Sequence, residues 1–440
     1  MICFDELNRK IFVPLRLCAK LYSISNLLNY IFSNFEYFKS INCFITPIFT
    51  IQFNFKTMAQ PSRIWLSSPH MGGTELNYIH EAFKTNWIAP LGPNVNGFEE
   101  DIQSFLNTEK PVAALSTGTA AIHLALVQLG VTQGDEVICQ SFTFCGSINP
   151  IVYQGATPIL VDSEATTWNM CPYALEEAIQ DRIRRVTKPK AIIVVHLYGM
   201  PCQMDKISEI AAKYDIPIIE DAAEALGSVY KGQNCGTFGA YGALSFNGNK
   251  IITTSGGGAL VCKNEAAKEK TVFYATQARD EAPHYEHTHI GYNYRMSNIV
   301  AGIGRGQMEV LAKHIALRRE MHSFYEELFK GVDAITVLTE PDSDYFSNHW
   351  LSAIRVDKDA NFTREDLRLA LWEDNIESRP LWKPMHMQPV FKDLPYYGGN
   401  VSEDLFETGL CLPSGSNTTQ DEKDRISTKI NAFLKLHGHI

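Results

Sequence analysis

The sequence predicts an α/β fold, a mainly parallel sheet covered by helices. Two observations carry this: short β-branched or aromatic runs recur from Val112 onward, and helical stretches separate several of them. Such alternation is the mark of parallel strands joined by crossover helices. The strand-like runs are VICQSFTF (137–144), TPILVD (157–162), AIIVVHLYG (191–199), IPIIEDAA (216–223), GALSF (242–246) and GGALVC (257–262). TAAIHLALVQLG (119–130) reads as an apolar helix. PYALEEAIQDRI (172–183) and CQMDKISEIAAKY (202–214) place apolar residues three and four apart beside charged ones, as surface-packed helices do. After about residue 305 a long helical stretch, GQMEVLAKHIALRREMHSFYEELFKGV, leads into shorter mixed elements and a last helix near ISTKINAFLKLHG. The expected organisation is a leader over 1–57, a large domain over 58–305 and a smaller α+β domain over 306–440.

Composition narrows the function. The 440 residues are 45% hydrophobic, which excludes a disordered chain, and the formal charge of −10 argues against a phosphate-tracking nucleic-acid surface. Residues 1–57 hold six Lys/Arg against three Asp/Glu and 9 of the 24 Phe. They contain no stretch of about 20 clean apolar residues, as a membrane span requires. The segment reads as upstream sequence, with Met58 the true start; a weak targeting segment is the alternative. The seven later cysteines show no CxxC spacing, so reduced thiols in a cytoplasmic protein are expected. No metal site is expected either: His284, His287 and His289 lack a helix-spaced partner.

In open α/β sheets ligands gather at the carboxyl ends of the strands. STGTAAIHLAL (116–126) opens a helix with small residues and Gly118, a start suited to phosphate or to an ordinary N-cap. Asp221 ends an apolar strand, Lys250 follows another by four residues, and HIGYNYRMSNI (289–299) is rich in aromatic and polar residues. Each has a plain structural explanation alone. Together they are the parts that hold pyridoxal phosphate: an amine for the Schiff base, a carboxylate for the pyridine nitrogen, a phosphate cradle and a ring to stack on it.

The ordered set STGTAAIHLAL, QSFTF, EDAAEALGS, GTFGAYGALSFNGNKIITTSGGGAL and GYNYRMSNI resembles the DegT/DnrJ/EryC1/StrS sugar-nucleotide aminotransferases, on the fold-type I scaffold. The resemblance implies that Lys250 is the Schiff-base lysine and general acid–base, and that Asp221 faces the pyridine nitrogen. It assigns Phe144 to the ring face, and Ser245, Gly118 and Thr119 to the phosphate. Asn293 would be lent by the other subunit of a homodimer. Glu224 stands where many members carry His or Gln, close to the cofactor.

The resemblance further implies L-glutamate as amino donor and a UDP-linked 4-keto-6-deoxy-N-acetylhexosamine as acceptor, with His70, Met71, Trp87, Arg379, Lys383 and His386 as substrate contacts. GDP- or dTDP-linked sugars are alternatives, as is a cofactor-binding regulator without turnover. A nicotinamide dehydrogenase is disfavoured because GIGRGQ (302–307) lacks the GxGxxG spacing and follows no strand.

Overall fold

The computed structural model describes residues 61–439. The leader expectation for 1–57 lies outside the described residues. Gln60–Ile440 is one compact unit.

Its centre is an eight-stranded sheet. In chain order the strands are β1 (Val112–Leu115), β2 (Glu136–Gln140), β3 (Thr157–Val161), β4 (Ala191–Val195), β5 (Ile218–Asp221), then β6 (Val229–Tyr230) and β7 (Gln233–Asn234) outside this sheet, β8 (Tyr241–Ser245) and β9 (Gly258–Cys262). The order across the sheet is β1-β9-β8-β5-β4-β2-β3, and Tyr396–Tyr397 from the C-terminal region adds the last parallel strand beside β3. Only β9 runs against the others. Strands β1, β2, β4, β5 and β9 are buried along their whole length. This explains why they read as continuous apolar runs rather than as alternating ones.

The expected elements recur with shifted ends. The run 137–144 leaves the sheet after Gln140, where Thr143 N–H turns back onto the Ser141 carbonyl. That turn lets Phe144 precede the helix Cys145–Tyr153. The long stretch from 306 is two helices, Asn298–Met308 and Leu311–Leu328, and the expected boundary after 305 falls inside the first. Gly302, Gly304 and Gly306 let that helix approach the helices Glu75–Lys84 and Pro93–Phe105 closely. A Cβ at Gly304 would meet the Phe98 ring at 2.6 Å, and one at Gly306 the Glu75 backbone at 2.8 Å.

A four-stranded antiparallel sheet, with Ser352–Val356 and Gly409–Leu412 at its centre, packs under helices Arg364–Glu373 and Gln420–Leu436. Its edge strand Arg379–Pro380 pairs with Cys411 and Leu410. The chain at Ile64 bridges Ile376, and Glu377 accepts from Leu66 N–H. The segments at 64–66 and 376–379 therefore run together to the carboxyl edge of the main sheet.

Candidate active site

A cavity of about 740 Å³ sits at that edge, lined by Thr117–Thr119, Phe144, Asp221, Glu224, Ser245, Lys250 and Arg379 among others. Seven of the residues expected to hold cofactor, together with Arg379, are thus brought to one place from six separate segments.

The anion-binding end is built from backbone. Helix Gly118–Gln128 is capped by Thr117, whose hydroxyl accepts from Ala120 N–H at 2.9 Å. Thr117 is the cap, so Thr119 keeps its own hydroxyl for other contacts. The N–H groups of Gly118 and Thr119 find no acceptor among the described residues, as the first N–H groups of a helix do not within the helix itself. Side chains are excluded from this corner by contact. A Cβ on Gly118 would lie 3.1 Å from the Ser245 Cβ, and one on Gly258 would lie 2.3–2.5 Å from the Thr117 and Gly118 backbone. Two N–H groups at a helix start, the hydroxyl-bearing Ser245 and no room for a Cβ fit a phosphate.

Asp221 ends β5 and is 7% exposed. Its neighbour Glu220 projects to the other face, where it accepts from Gly236 and Gly239 N–H and pairs with His196. Asp221 itself accepts from Ser147 Oγ at 2.6 Å and from Ala223 N–H at 3.1 Å, and Thr143 bonds Ser147 in turn. A buried carboxylate held this way at a strand end suits a protonated ring nitrogen. Phe144 is 57% exposed at the mouth, beside Trp382.

Lys250 is the lysine that lines the cavity. Its Nζ lies 3.2 Å from Glu224 Oε1 and 4.1 Å from the Trp350 ring centroid. Glu224 is 3% exposed, and burial pushes its carboxyl up to about 7 despite the nearby ammonium. Its second oxygen accepts from Tyr198 N–H at 2.7 Å, which Tyr198 presents from a left-handed backbone at φ 54°. A carboxyl poised near neutrality beside an amine exchanges a proton readily.

Residues 69–431 match the DegT/DnrJ/EryC1/StrS aminotransferase family. The chain belongs to that family. EpsN of Bacillus subtilis (strain 168), named as a pyridoxal phosphate-dependent aminotransferase, is 51% identical over 368 residues, covering 83% of this chain and 94% of EpsN. A GDP-perosamine synthase of Escherichia coli O157:H7 is 37% identical over 365 residues, covering 83% and 97%. The crystal structure of a DegT DnrJ EryC1 StrS aminotransferase from Brucella abortus superposes with a TM-score of 0.76 at 29% identity, covering 83% and 95%. The fold is therefore fold-type I, and the cofactor of this aminotransferase is pyridoxal phosphate.

The remaining expected residues lie outside the cavity lining. Asn293 is exposed and bridges Thr276. His70 bonds Ser416 at 3.0 Å and stacks on His314; Met71 and Trp87 are 49% and 44% exposed. His386 is held between Ser141 at 2.7 Å and Glu403 at 3.0 Å, over the Tyr396 ring; the carbonyl of Lys383 accepts from Gln388. Arg379 lines the cavity with a bidentate grip on Glu377, at 2.7 and 3.0 Å.

Trp350, Trp382, Ser67 and Asn249 line the cavity of this aminotransferase without a sequence signal that marks them. The aromatic residues of SNHWLS and SRPLWKP were the one available hint. The seven described cysteines are free thiols. His287 Nδ1 lies 3.0 Å from the Gln277 carbonyl, and His284 pairs with Glu286. His322, Glu340 and His349 also come together, but Arg319 already neutralises that carboxylate. Among the described residues no helix is long and apolar enough to cross a membrane.

Proposed function

We propose that this aminotransferase transfers the amino group of L-glutamate to a nucleotide-linked 4-keto-6-deoxy sugar, with a UDP-linked N-acetylhexosamine as acceptor, in cytoplasmic amino-sugar or cell-surface glycan biosynthesis. Family membership supports the reaction class. The observation that carries the site assignment is Lys250 Nζ set 3.2 Å from a buried carboxyl in the cavity that also holds Asp221 and the helix-start cradle.

When bound, pyridoxal phosphate supplies an electron sink and carries nitrogen between donor and acceptor. Gly118 and Thr119 N–H, with the Ser245 hydroxyl, bind its phosphate. Asp221, oriented by Ser147, keeps a proton on the ring nitrogen and stabilises positive charge there. Phe144 covers the ring face and excludes water. Glu224, the nearest acceptor to Lys250 Nζ, would take the ammonium proton and leave the amine neutral, and the free amine would then take up and return the proton at the substrate carbon that bears nitrogen.

Arg379 is the cation at the cavity best placed to meet a substrate anion, because its guanidinium is 63% exposed while fixed on Glu377. The exposed position of Asn293 suits a residue given to a second copy, and we read the active unit as a homodimer on that basis. A GDP-linked acceptor is the second reading, favoured by the similarity to GDP-perosamine synthases.

Absorption spectroscopy of the purified holoenzyme tests the assignment. A visible band is expected that bleaches with L-glutamate and is missing in Lys250→Ala. A protein that stays colourless after added pyridoxal phosphate would overturn it. Coupled turnover with UDP-, GDP- and dTDP-linked 4-keto sugars decides the nucleotide; absent or merely equal activity on the UDP compound removes that choice.

A further inference from the structure

We propose that Arg318 is a positioning residue for Lys250, fixing both the backbone that carries the lysine and the indole that faces its ammonium. The inference rests on the reading of Lys250 as the cofactor-binding amine.

Arg318 lies in helix Leu311–Leu328 and is 1% exposed. Its guanidinium finds oxygens from four separate segments. Nη1 donates to the carbonyls of Trp350 at 2.5 Å and Ser414 at 3.0 Å. Nη2 donates to Ser67 Oγ at 2.9 Å and reaches the Lys250 carbonyl at 3.5 Å. A second ring of bonds closes on Asn249, whose carbonyl accepts from Ser67 Oγ at 2.8 Å and from Trp350 Nε1 at 2.7 Å. The peptide just before Lys250 is therefore held by two groups that Arg318 itself holds. Trp350 is shared between the two sets of bonds, and its ring stands 4.1 Å from Nζ.

The choice of residue matters. A guanidinium offers five N–H donors in one rigid plane, whereas an ammonium has three on a flexible stem. Among the described residues no carboxylate is bonded to Arg318, and the two imidazoles its charge acts on, His70 and His314, are bases. Burying such a cation is costly, and an apolar side chain would fill the space. What an apolar side chain would not do is join Trp350, Ser67 and Ser414 to the lysine segment. A reactive group needs its supporting shell fixed to within about half an ångström, and this network supplies that support.

The test is visible circular dichroism of the holoenzyme, expressed per mole of bound pyridoxal phosphate, in Arg318→Met and Arg318→Lys. A chromophore anchored to a loosely held lysine loses induced asymmetry, so Arg318→Met is expected to lose about half of the amplitude or more while remaining folded by far-ultraviolet dichroism. Arg318→Lys is expected to recover only part of it. Trp350→Phe should reduce the amplitude too, and combining it with Arg318→Met should add little, because both act through one network. A coloured wild type whose Arg318→Met variant keeps the full amplitude overturns this proposal alone; a colourless wild type overturns the cofactor-site reading with it. If Arg318→Met does not fold, Arg318→Lys decides by the same measure, and full amplitude there overturns the proposal.

Discussion

Lys250 Nζ lies 3.2 Å from the buried carboxylate of Glu224, which also accepts the backbone N–H of Tyr198. The pair joins the loop after β8 to the loop after β5, two loops that leave adjacent parallel strands of the main sheet. By the resemblance His or Gln is common at this place, and this chain carries a carboxyl instead.

Glu224 makes stability depend on pH in a particular direction. Burial raises its carboxyl from 4.5 to about 7, so the folded state holds this proton more tightly than the unfolded chain does. Its contribution is therefore most favourable below about 4.5, declines as pH rises through the window to about 7, and changes no further above it. Cofactor-free wild type should lose about 1–3 kcal/mol more stability between pH 5 and pH 8 than Glu224→Gln does. Denaturant melts at the two pH values measure this; parallel losses would count against the raised carboxyl. In the holoenzyme, Glu224→Gln should lower kcat by about 10–100-fold, since it removes a proton acceptor and leaves shape intact.

Asp221 depends on a second-row hydroxyl. Ser147→Ala removes the 2.6 Å bond to its carboxylate and leaves Thr143 without its partner. A charge-assisted bond of this kind contributes about 1.5–3 kcal/mol, so kcat should fall by roughly 10-fold or more. Ser147→Thr, which keeps the hydroxyl, should retain most of the activity if space allows. Equal kcat in Ser147→Ala and wild type would show that Asp221 does not need this orientation.

Two glycines at the cradle should respond unequally. At Gly118 an added Cβ meets Ser245 Cβ at 3.1 Å and the Leu244 carbonyl at 3.2 Å, which a small shift relieves. At Gly258 it meets backbone atoms of Thr117 and Gly118 at 2.3–2.5 Å, and the helix start must move. Gly258→Ala should cost about 1–3 kcal/mol and release pyridoxal phosphate on gel filtration, while Gly118→Ala weakens binding less. Retention of cofactor by Gly258→Ala would contradict the cradle.

Local patterns made much of this legible before any coordinates. Strands β2 to β5 and β9 are short buried runs, and the residues at their carboxyl ends are set by chain direction alone. Ser245 is legible only through the resemblance, but Asp221 is legible from its place at a strand end. Lys250 and Gly118 stood out for the same reason. Trp350, Arg318 and Ser67 did not, because their roles arise from contacts between segments far apart in the chain: the Trp350–Asn249 bond spans 101 residues and the Arg318–Ser67 bond 251. Periodicity also failed to show the break at Glu309–Val310. Both halves are helical by composition, and no Gly or Pro stands at Glu309–Val310 to mark the break.

His386 and Arg379, two of the substrate-side candidates, should separate by what they change. His386 joins Ser141, just past the end of β2, to Glu403, and its ring stacks 3.9 Å from Tyr396. Both nitrogens and one face of that imidazole are used inside the fold, so His386→Ala should cost about 1–3 kcal/mol of stability and leave the sugar-nucleotide KM within about threefold. Arg379 is the opposite case. Its guanidinium is 63% exposed, and the buried Glu377 carboxylate keeps Arg63 at 3.6 Å and the Leu66 N–H, so deleting Arg379 should cost only about 1 kcal/mol. A diphosphate or carboxylate entering the cavity meets that guanidinium with two parallel donors, and their loss should raise the KM of the anionic substrate by roughly 10–100-fold with kcat less affected. Arg379→Lys should recover only part, since an ammonium cannot reproduce the fork. Thermal melts and steady-state kinetics on the same two variants decide the matter. A KM effect confined to His386→Ala would move the substrate anion away from the Glu377–Arg379 edge and toward the β2 end of the sheet.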